Sequence, residues 1–442
     1  MEPLTIAVIV AVFTLIVLFS GIPIAFGLSF VSVALLVAFE GIQMLDVFAE
    51  TFYAGLNSFV LLSIPMFILM GMAVANSPAG KDLYTGLDRW LWRVPGGLVI
   101  SNIGACSIFA ALSGSSPATC AAIGTMGIPE MRKRGYSDEI ATGTIAAGGT
   151  LGVLIPPSIV LIVYGMATGT SIGRLFLCGI IPGFMLASLF ALWALFHSYF
   201  IDKNSSKALR NKKPPTLKQK LEVLPRIFPF LAIIVGVLYV LYGGVATPSE
   251  ASGVGAFLVF VMIAVVYKIY QPKKIWNIVK VSMKESVMIM FIIAASYLFA
   301  FTLSQLYVTQ SLAQSMIELS ANKWTIFILI NIFLLVAGFF LPPVAVIVMT
   351  SAILLPVITT LGFDPYWFAI VFTINMEIGL ITPPVGLNLY IIKGITPDVS
   401  LSKILRGSFP FMCMMALSIV ILCIFPEIVT WLPDKLMGKS FG

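Results

Sequence analysis

Charge is what this 442-residue sequence has least of: Asp, Glu, Lys and Arg together make 10% of it, against 59% hydrophobic residues. A soluble domain carries about 25% charged residues, so a water-clothed surface is excluded. Histidine is nearly absent. His197 stands alone at the polar end of an apolar segment, where an interfacial residue is expected more than a proton relay. Five cysteines (Cys106, Cys120, Cys178, Cys413, Cys423) lie singly in apolar stretches with no C-x-x-C pair. That spacing leaves them as small core residues rather than metal ligands or disulfides. No G-x-x-x-x-G-K-[ST] loop occurs, so ATP is not expected to be handled by this chain. The longest polar stretch, Ile201 to Arg226, is too short to bury a core of its own. The opening Met-Glu-Pro-Leu has no basic region ahead of its apolar run, which is expected to be a retained span.

What is present in quantity is apolar sequence broken by glycine and proline, 36 and 26 of them. A spanning helix needs about 20 apolar residues. The stretch Leu4–Phe39 holds two, separated by Gly21-Ile-Pro23. Further runs fall near 58–76, 97–131, 138–168, 173–200, 226–244, 251–269, 284–306, 325–360, 365–394 and 408–432. The runs 97–131 and 325–360 are long enough for two short helices each and are interrupted in the middle. The runs 138–168 and 365–394 carry a Pro-Pro pair. For Gly41–Asn57 and Gln271–Glu285 two readings stand, arm helices lying along the interface or plain connectors.

A repeat accounts for the interruptions. A shift of 227 places Pro129 on Pro356, Gly135 on Gly362, Gly152 on Gly379 and Pro156-Pro157 on Pro383-Pro384. With one residue inserted, Gly179 meets Gly407 and Pro182 meets Pro410. The expected organisation is two copies of one unit, 1–200 and 227–442, joined by a basic linker at 201–226. Each copy has a scaffold part (1–76; 227–306), a re-entrant hairpin (97–131; 325–360) and a broken helix (138–168; 365–394). Five full spans per copy make the two copies inverted. With the linker in the cytoplasm, 22 of the 26 Lys and Arg residues fall on the cytoplasmic side, as the positive-inside rule requires. Both termini then face outward. The fold class is an all-α polytopic membrane protein with two inverted-topology repeats.

Inverted repeats with paired interrupted helices point to a secondary transporter with its site near the midplane. In Ser113-Gly-Ser-Ser-Pro-Ala-Thr119, glycine ends one half-helix, serine caps the next, and Pro117 suits a first helical position. Similar grammar recurs in Gly148–Ser158, Gly338–Pro343 and Glu377–Pro384. Each break offers free N–H groups that favour an anion and free carbonyls that hold a small cation such as sodium. Short polar side chains beside the breaks complete the candidate set. They are Ser113, Ser115, Ser116, Thr119, Thr150 and Ser158 in the first copy, and Asn375, Glu377, Thr382 and Asn388 in the second. Glu377 is the one carboxylate deep in an apolar run; an interfacial or capping role competes with a functional one. No intramembrane Arg or Lys is there to pair a substrate carboxylate, so an anion would rest on dipoles and hydroxyls.

At these breaks the sequence resembles the large membrane subunit of tripartite ATP-independent periplasmic (TRAP) transporters, the DctM-like family. The matching stretches are Ser113-Gly-Ser-Ser-Pro-Ala, Gly152-Val-Leu-Ile-Pro-Pro-Ser158, Ser171-Ile-Gly-Arg-Leu-Phe and Glu377-Ile-Gly-Leu-Ile-Thr-Pro-Pro-Val-Gly-Leu-Asn388. The resemblance implies the ion transporter superfamily fold, a scaffold with a moving, elevator-type transport domain. It implies sodium-coupled import of an organic acid delivered by a periplasmic binding protein, in the bacterial inner membrane. It also implies a small four-helix membrane subunit, expected as a separate chain. By that analogy Ser113 and Ser158 face substrate; Ser116, Asn375, Glu377 and Asn388, as polar residues beside the breaks, complete the expected substrate set. The resemblance also implies that the backbone around Ser115, Gly149, Gly152, Gly338, Gly379 and Thr382 holds sodium, and Thr150, a short donor beside the break, is expected to join it. No other cofactor is implied. The chain departs from relatives that carry an aspartate at the second hairpin tip, where it has Leu341-Pro342-Pro343. A stand-alone sodium/anion symporter of the same superfamily is the alternative. An intramembrane enzyme would need a nucleophile, a base or a metal cluster that the sequence does not offer.

Overall fold

The computed structural model describes residues 3–92, 94, 96–201, 215–318 and 322–439. Among them secondary structure is entirely helical. Half of the expected linker, residues 202–214, lies outside the described residues. The first half runs α1 (Pro3–Phe19), α2 (Ile24–Glu40), α3 (Leu45–Leu56), α4 (Ser63–Ala75) and α5 (Ala79–Leu91), then α6 (Gly97–Ser113), α7 (Ser116–Lys133), α8 (Asp138–Leu154), α9 (Ile159–Thr168) and α10 (Ile172–Phe196). The second half runs α11 (Leu217–Tyr242), α12 (Pro248–Val265), α13 (Pro272–Gln305), α14 (Val308–Glu318), α15 (Lys323–Phe340) and α16 (Pro343–Thr360). It closes with α17 (Pro365–Leu380), α18 (Leu387–Ile395), α19 (Leu401–Ile424) and α20 (Glu427–Met437). Six helices among the described residues are long and apolar enough to cross a membrane, and up to nine spans result if each of three bent pairs is one.

The breaker residues paired by the sequence shift fall in comparable elements. Gly135 and Gly362 both take positive φ in the turn between hairpin and broken helix. Pro129 and Pro356 lie inside α7 and α16, and Pro182 and Pro410 inside α10 and α19. Helix starts follow local capping chemistry. Ser137, Ser158 and Ser171 accept from the N–H three residues on, and Thr216 and Thr247 form capping boxes with Gln219 and Glu250.

Three expectations change. The span expected at 226–244 starts at Leu217, because the Thr216 cap sets its first turn, so the last part of the basic stretch is helical. Gly41–Asn57 does contain a separate helix, α3, bent from the next by 58°. Gln271–Glu285 instead continues without a break into the span, giving the 34-residue α13. The reason is local: after Pro272 this stretch has neither glycine nor proline, whereas the first half has Gly55, Asn57 and Pro65 at its bend. The run expected at 408–432 divides into α19 and α20 at Phe425-Pro426.

Packing mixes the two halves. Helices α2, α3 and α4 pack on α13, and α4 packs on α12. A second group crosses the halves as well, with α8 against α6, α7 and α19, and α18 against α7. Backbones nearly touch where α8 crosses α19, since a Cβ on Gly407 would collide with the Glu139 carbonyl and one on Gly143 with the Gly407 carbonyl. The two ends of this group carry ionic ties. Asp138 bonds Arg132 at 3.0 Å and Lys403 at 3.1 Å, and Arg132 also pairs with Asp398. At α20, buried Arg174 pairs with Asp434 and donates to the Gly438 carbonyl at 2.7 Å.

Candidate transport site at two hairpin tips

The first hairpin turns at Gly114-Ser115. Gly114 adopts the left-handed conformation that ends α6, and Ser115 caps α7 by accepting from the Ala118 N–H at 3.4 Å. Pro117 follows at the second helical position, one later than expected. The tip lies against the break of the first broken helix. A Cβ on Gly114 would stand 2.9 Å from the Pro157 carbonyl, so only glycine lets tip and break approach this closely. At that break Ile155-Pro-Pro-Ser158 is non-helical, and the buried Ser158 caps α9 by accepting from Leu161.

Gly149 and Gly152 do not sit at the break as the sequence grammar suggests. They lie within α8 and admit the hairpin tip, with built Cβ atoms 2.9 Å from the Ser116 carbonyl and 3.3 Å from the Ser115 carbonyl. The tip is therefore rich in carbonyl oxygen pressed on bare helix backbone. The Ser115 carbonyl accepts from the Thr119 hydroxyl at 2.9 Å, and that hydroxyl meets the Ser113 hydroxyl at 2.9 Å. These oxygens are what a small, hard cation prefers.

The second tip, Leu341-Pro342, repeats the arrangement with α17. Gly338 and Gly379 cross so closely that a Cβ on Gly379 would be 2.5 Å from the Gly338 carbonyl. Across the break the Val385 N–H donates to the Phe339 carbonyl at 3.3 Å. The half-buried Thr382 turns its hydroxyl back to the Ile378 carbonyl at 2.6 Å and touches Met412.

Between the tips the halves are joined by Asn388. In the first turn of α18, it donates to the Ser116 hydroxyl in the first turn of α7 at 2.8 Å, and its amide also reaches the Ala146 carbonyl at 3.4 Å. Two helix N-termini thus converge, and such ends favour negative charge. Glu377 brings a carboxyl group to this point from inside. It is fully buried, and the Ser116 hydroxyl faces it without closing a hydrogen bond of normal geometry. Both Glu377 oxygens and Asn388 Oδ1 are left without partners. Among the described residues no cluster of His, Cys, Asp or Glu could hold a metal by those side chains.

Two expected site residues are placed differently. Asn375 donates to the carbonyl and side chain of Asn331 on α15, at 2.8 and 3.0 Å, and so ties α17 to the second hairpin rather than joining Ser113 and Ser116. Thr150 hydrogen-bonds back to the Ala147 carbonyl at 2.6 Å and faces Met415 of α19. Its hydroxyl is spent within its own helix. One residue went unrecognised in the sequence: Asn331, legible as a lone amide in an apolar run. Cys120 is the core residue that its setting suggested, its thiol lying against Gly149.

Known proteins share this chain's sequence and its shape. A large permease protein of a C4-dicarboxylate TRAP transporter from Vibrio cholerae is 34% identical over 440 residues, covering 95% of this chain and 96% of that one. An isethionate TRAP transporter permease, DctMQ, from Oleidesulfovibrio alaskensis is 33% identical over 92% of this chain, which spans 63% of that longer protein. A sialic acid TRAP large permease from Vibrio cholerae is 29% identical over 95% of this chain and 97% of that one. Among solved structures, the YdaH transporter of Alcanivorax borkumensis has the same overall fold at 12% identity. Its TM-score is 0.64, with 98% of this chain and 99% of that one covered. Residues 9–428 match the family model described as "Tripartite ATP-independent periplasmic transporter, DctM component". The chain belongs to that family, the large permease subunits of TRAP secondary transporters, and is a multi-pass inner-membrane protein and not an enzyme.

Proposed function

We propose that this subunit imports an organic acid together with sodium, receives it from a periplasmic binding protein, and works with a small four-helix membrane subunit. The observation that carries the reading is the pairing of each hairpin tip with a glycine-crossed helix: Ser115 and Ser116 carbonyls over Gly149 and Gly152, and Gly338 over Gly379. The first tip's carbonyls suit a sodium ion, and the second crossing offers the like. The converging first turns of α7 and α18, beside Ser113 and Ser158, suit the acid. Asn375 and Thr150 would then act by fixing helices and not by contact. The repeat and the charge count support inverted copies that work as an elevator, with both termini outside.

Energetics favour such coupling. Moving one charge through 100 mV is worth about 2.3 kcal/mol, so a dianion entering an inside-negative cell faces about twice that. Two sodium ions cancel the electrical term, and their gradient drives accumulation. Relatives named for dicarboxylate, isethionate and sialic acid support an organic acid as the substrate.

The first test is thermal stability of the purified protein while sodium replaces potassium at constant ionic strength. One site at ten times its dissociation constant adds about 1.4 kcal/mol. A saturable, sodium-selective rise in midpoint, lost in S115A or T382A, is the expected result. A flat response up to a few hundred millimolar would rule out preformed sodium sites in this subunit. Uptake into proteoliposomes only when binding protein and small subunit are both supplied separates this reading from a self-sufficient symporter.

A further inference from the structure

Away from the tips, a groove of about 920 Å³ runs along α13. One wall is a stripe on that helix: Trp276, Lys280 and Lys284 at its N-terminal end, then Val287, Met288 and Phe291. The other wall is the α1–α2 turn with the start of α2, Ile22 to Phe26, and Pro342 of the second hairpin tip closes it. The spacing of the stripe, i, i+4, i+8, i+11, i+12 and i+15, keeps these side chains on one face of a straight helix. Its polarity is graded: aromatic and cationic at one end, purely apolar at the other.

We propose that this groove binds one anionic phospholipid, its headgroup on Lys280 and Lys284 and an acyl chain along Val287, Met288 and Phe291 toward Pro342. Four observations point to that occupant. No acidic side chain lines the groove. Among the described residues neither lysine makes an ion pair, so both charges are available. Trp276, Val287 and Met288 are more than half exposed, an apolar surface that in a membrane protein meets lipid. Length also fits. From Lys284 to Ile292 the helix rises about 12 Å, close to the depth of one leaflet in a hydrocarbon core about 30 Å thick. Lysine near an anionic surface and tryptophan at headgroup level are the usual placements of these residues.

The test is native mass spectrometry of the full chain in detergent, titrated with phosphatidylglycerol or phosphatidylethanolamine of identical acyl chains. The expected result is one tightly retained phosphatidylglycerol, bound about tenfold more tightly than phosphatidylethanolamine. K280Q/K284Q should abolish that preference while leaving weak binding of both lipids, and V287W should weaken both. Should the double variant not purify as a single species, K280Q and K284Q singly each reduce the preference about threefold. Equal retention of the two lipids by the unaltered chain overturns the proposal, as does an unchanged preference in the lysine variants. Displacement by free glycerol phosphate at equal concentration would show an anion site without a tail. Displacement by the small membrane subunit would show a protein interface instead.

Discussion

Gly379 shows what a single residue does here. Its missing Cβ lets α17 cross the Gly338 carbonyl, and a methyl group would enter at 2.5 Å against backbone that cannot swing aside. G379A should therefore cost about 1–3 kcal/mol, read as a lower melting midpoint, and should abolish sodium-dependent stabilisation. Gly394 has nothing within 4 Å of a built Cβ, so G394A is the matched control and should leave both unchanged. At Ser115 the effect is separable. Losing the cap in S115A costs about 1 kcal/mol, while S115T keeps the capping oxygen and should retain most of the stability. These residues were legible from sequence because glycine and serine beside proline carry local meaning. Asn388 was legible only as a polar residue, for its partner Ser116 lies 272 positions away.

Among the elements, the turn between α18 and α19 is held by charge. The hydrogen bond from Arg132 keeps the Asp398 carboxyl below the usual carboxylate range. A depressed folded-state pKa means that its stabilising contribution is complete above about pH 5 and is lost as pH falls through the depressed value. The melting midpoint should then drop on acidification below about pH 4, and D398N should drop less because it has no such contribution to lose. At the other end of the group, α20 is pinned by Arg174, which is 6% exposed and stands 5.2 Å from the Tyr366 ring. Removing only its partner in D434A leaves a buried cation and should cost about 3 kcal/mol. R174M/D434A removes both charges and should recover more than half of that loss in the melting midpoint. The sequence showed an apolar run ending near 432; it could not show that a separate helix folds back on α10, because that depends on an ion pair across 260 residues.

At the scale of the whole molecule, the chain buries few charges and crosses its own halves. The bonds from Asn388 to Ser116 and from Lys403 to Asp138 both join the second half to the first. Neither half should then fold as a stable unit alone. Co-expressed halves cut within 202–214 should be recovered as a complex, whereas each half alone should be lost in detergent extraction. Stable, monodisperse recovery of a single half would contradict the cross-packing.

Composition and breaker residues were enough to specify membrane helices and the four interruptions. The reason is that lipid leaves no partner for backbone polar groups, so apolar stretches are helical and each break is written locally in Gly, Pro and Ser. Which side chains meet at those breaks was not written locally. Asn375 turned to Asn331, Thr150 to its own helix and Asn388 to Ser116. Those choices follow from how helices distant in sequence cross, and from the glycines that set how closely they approach.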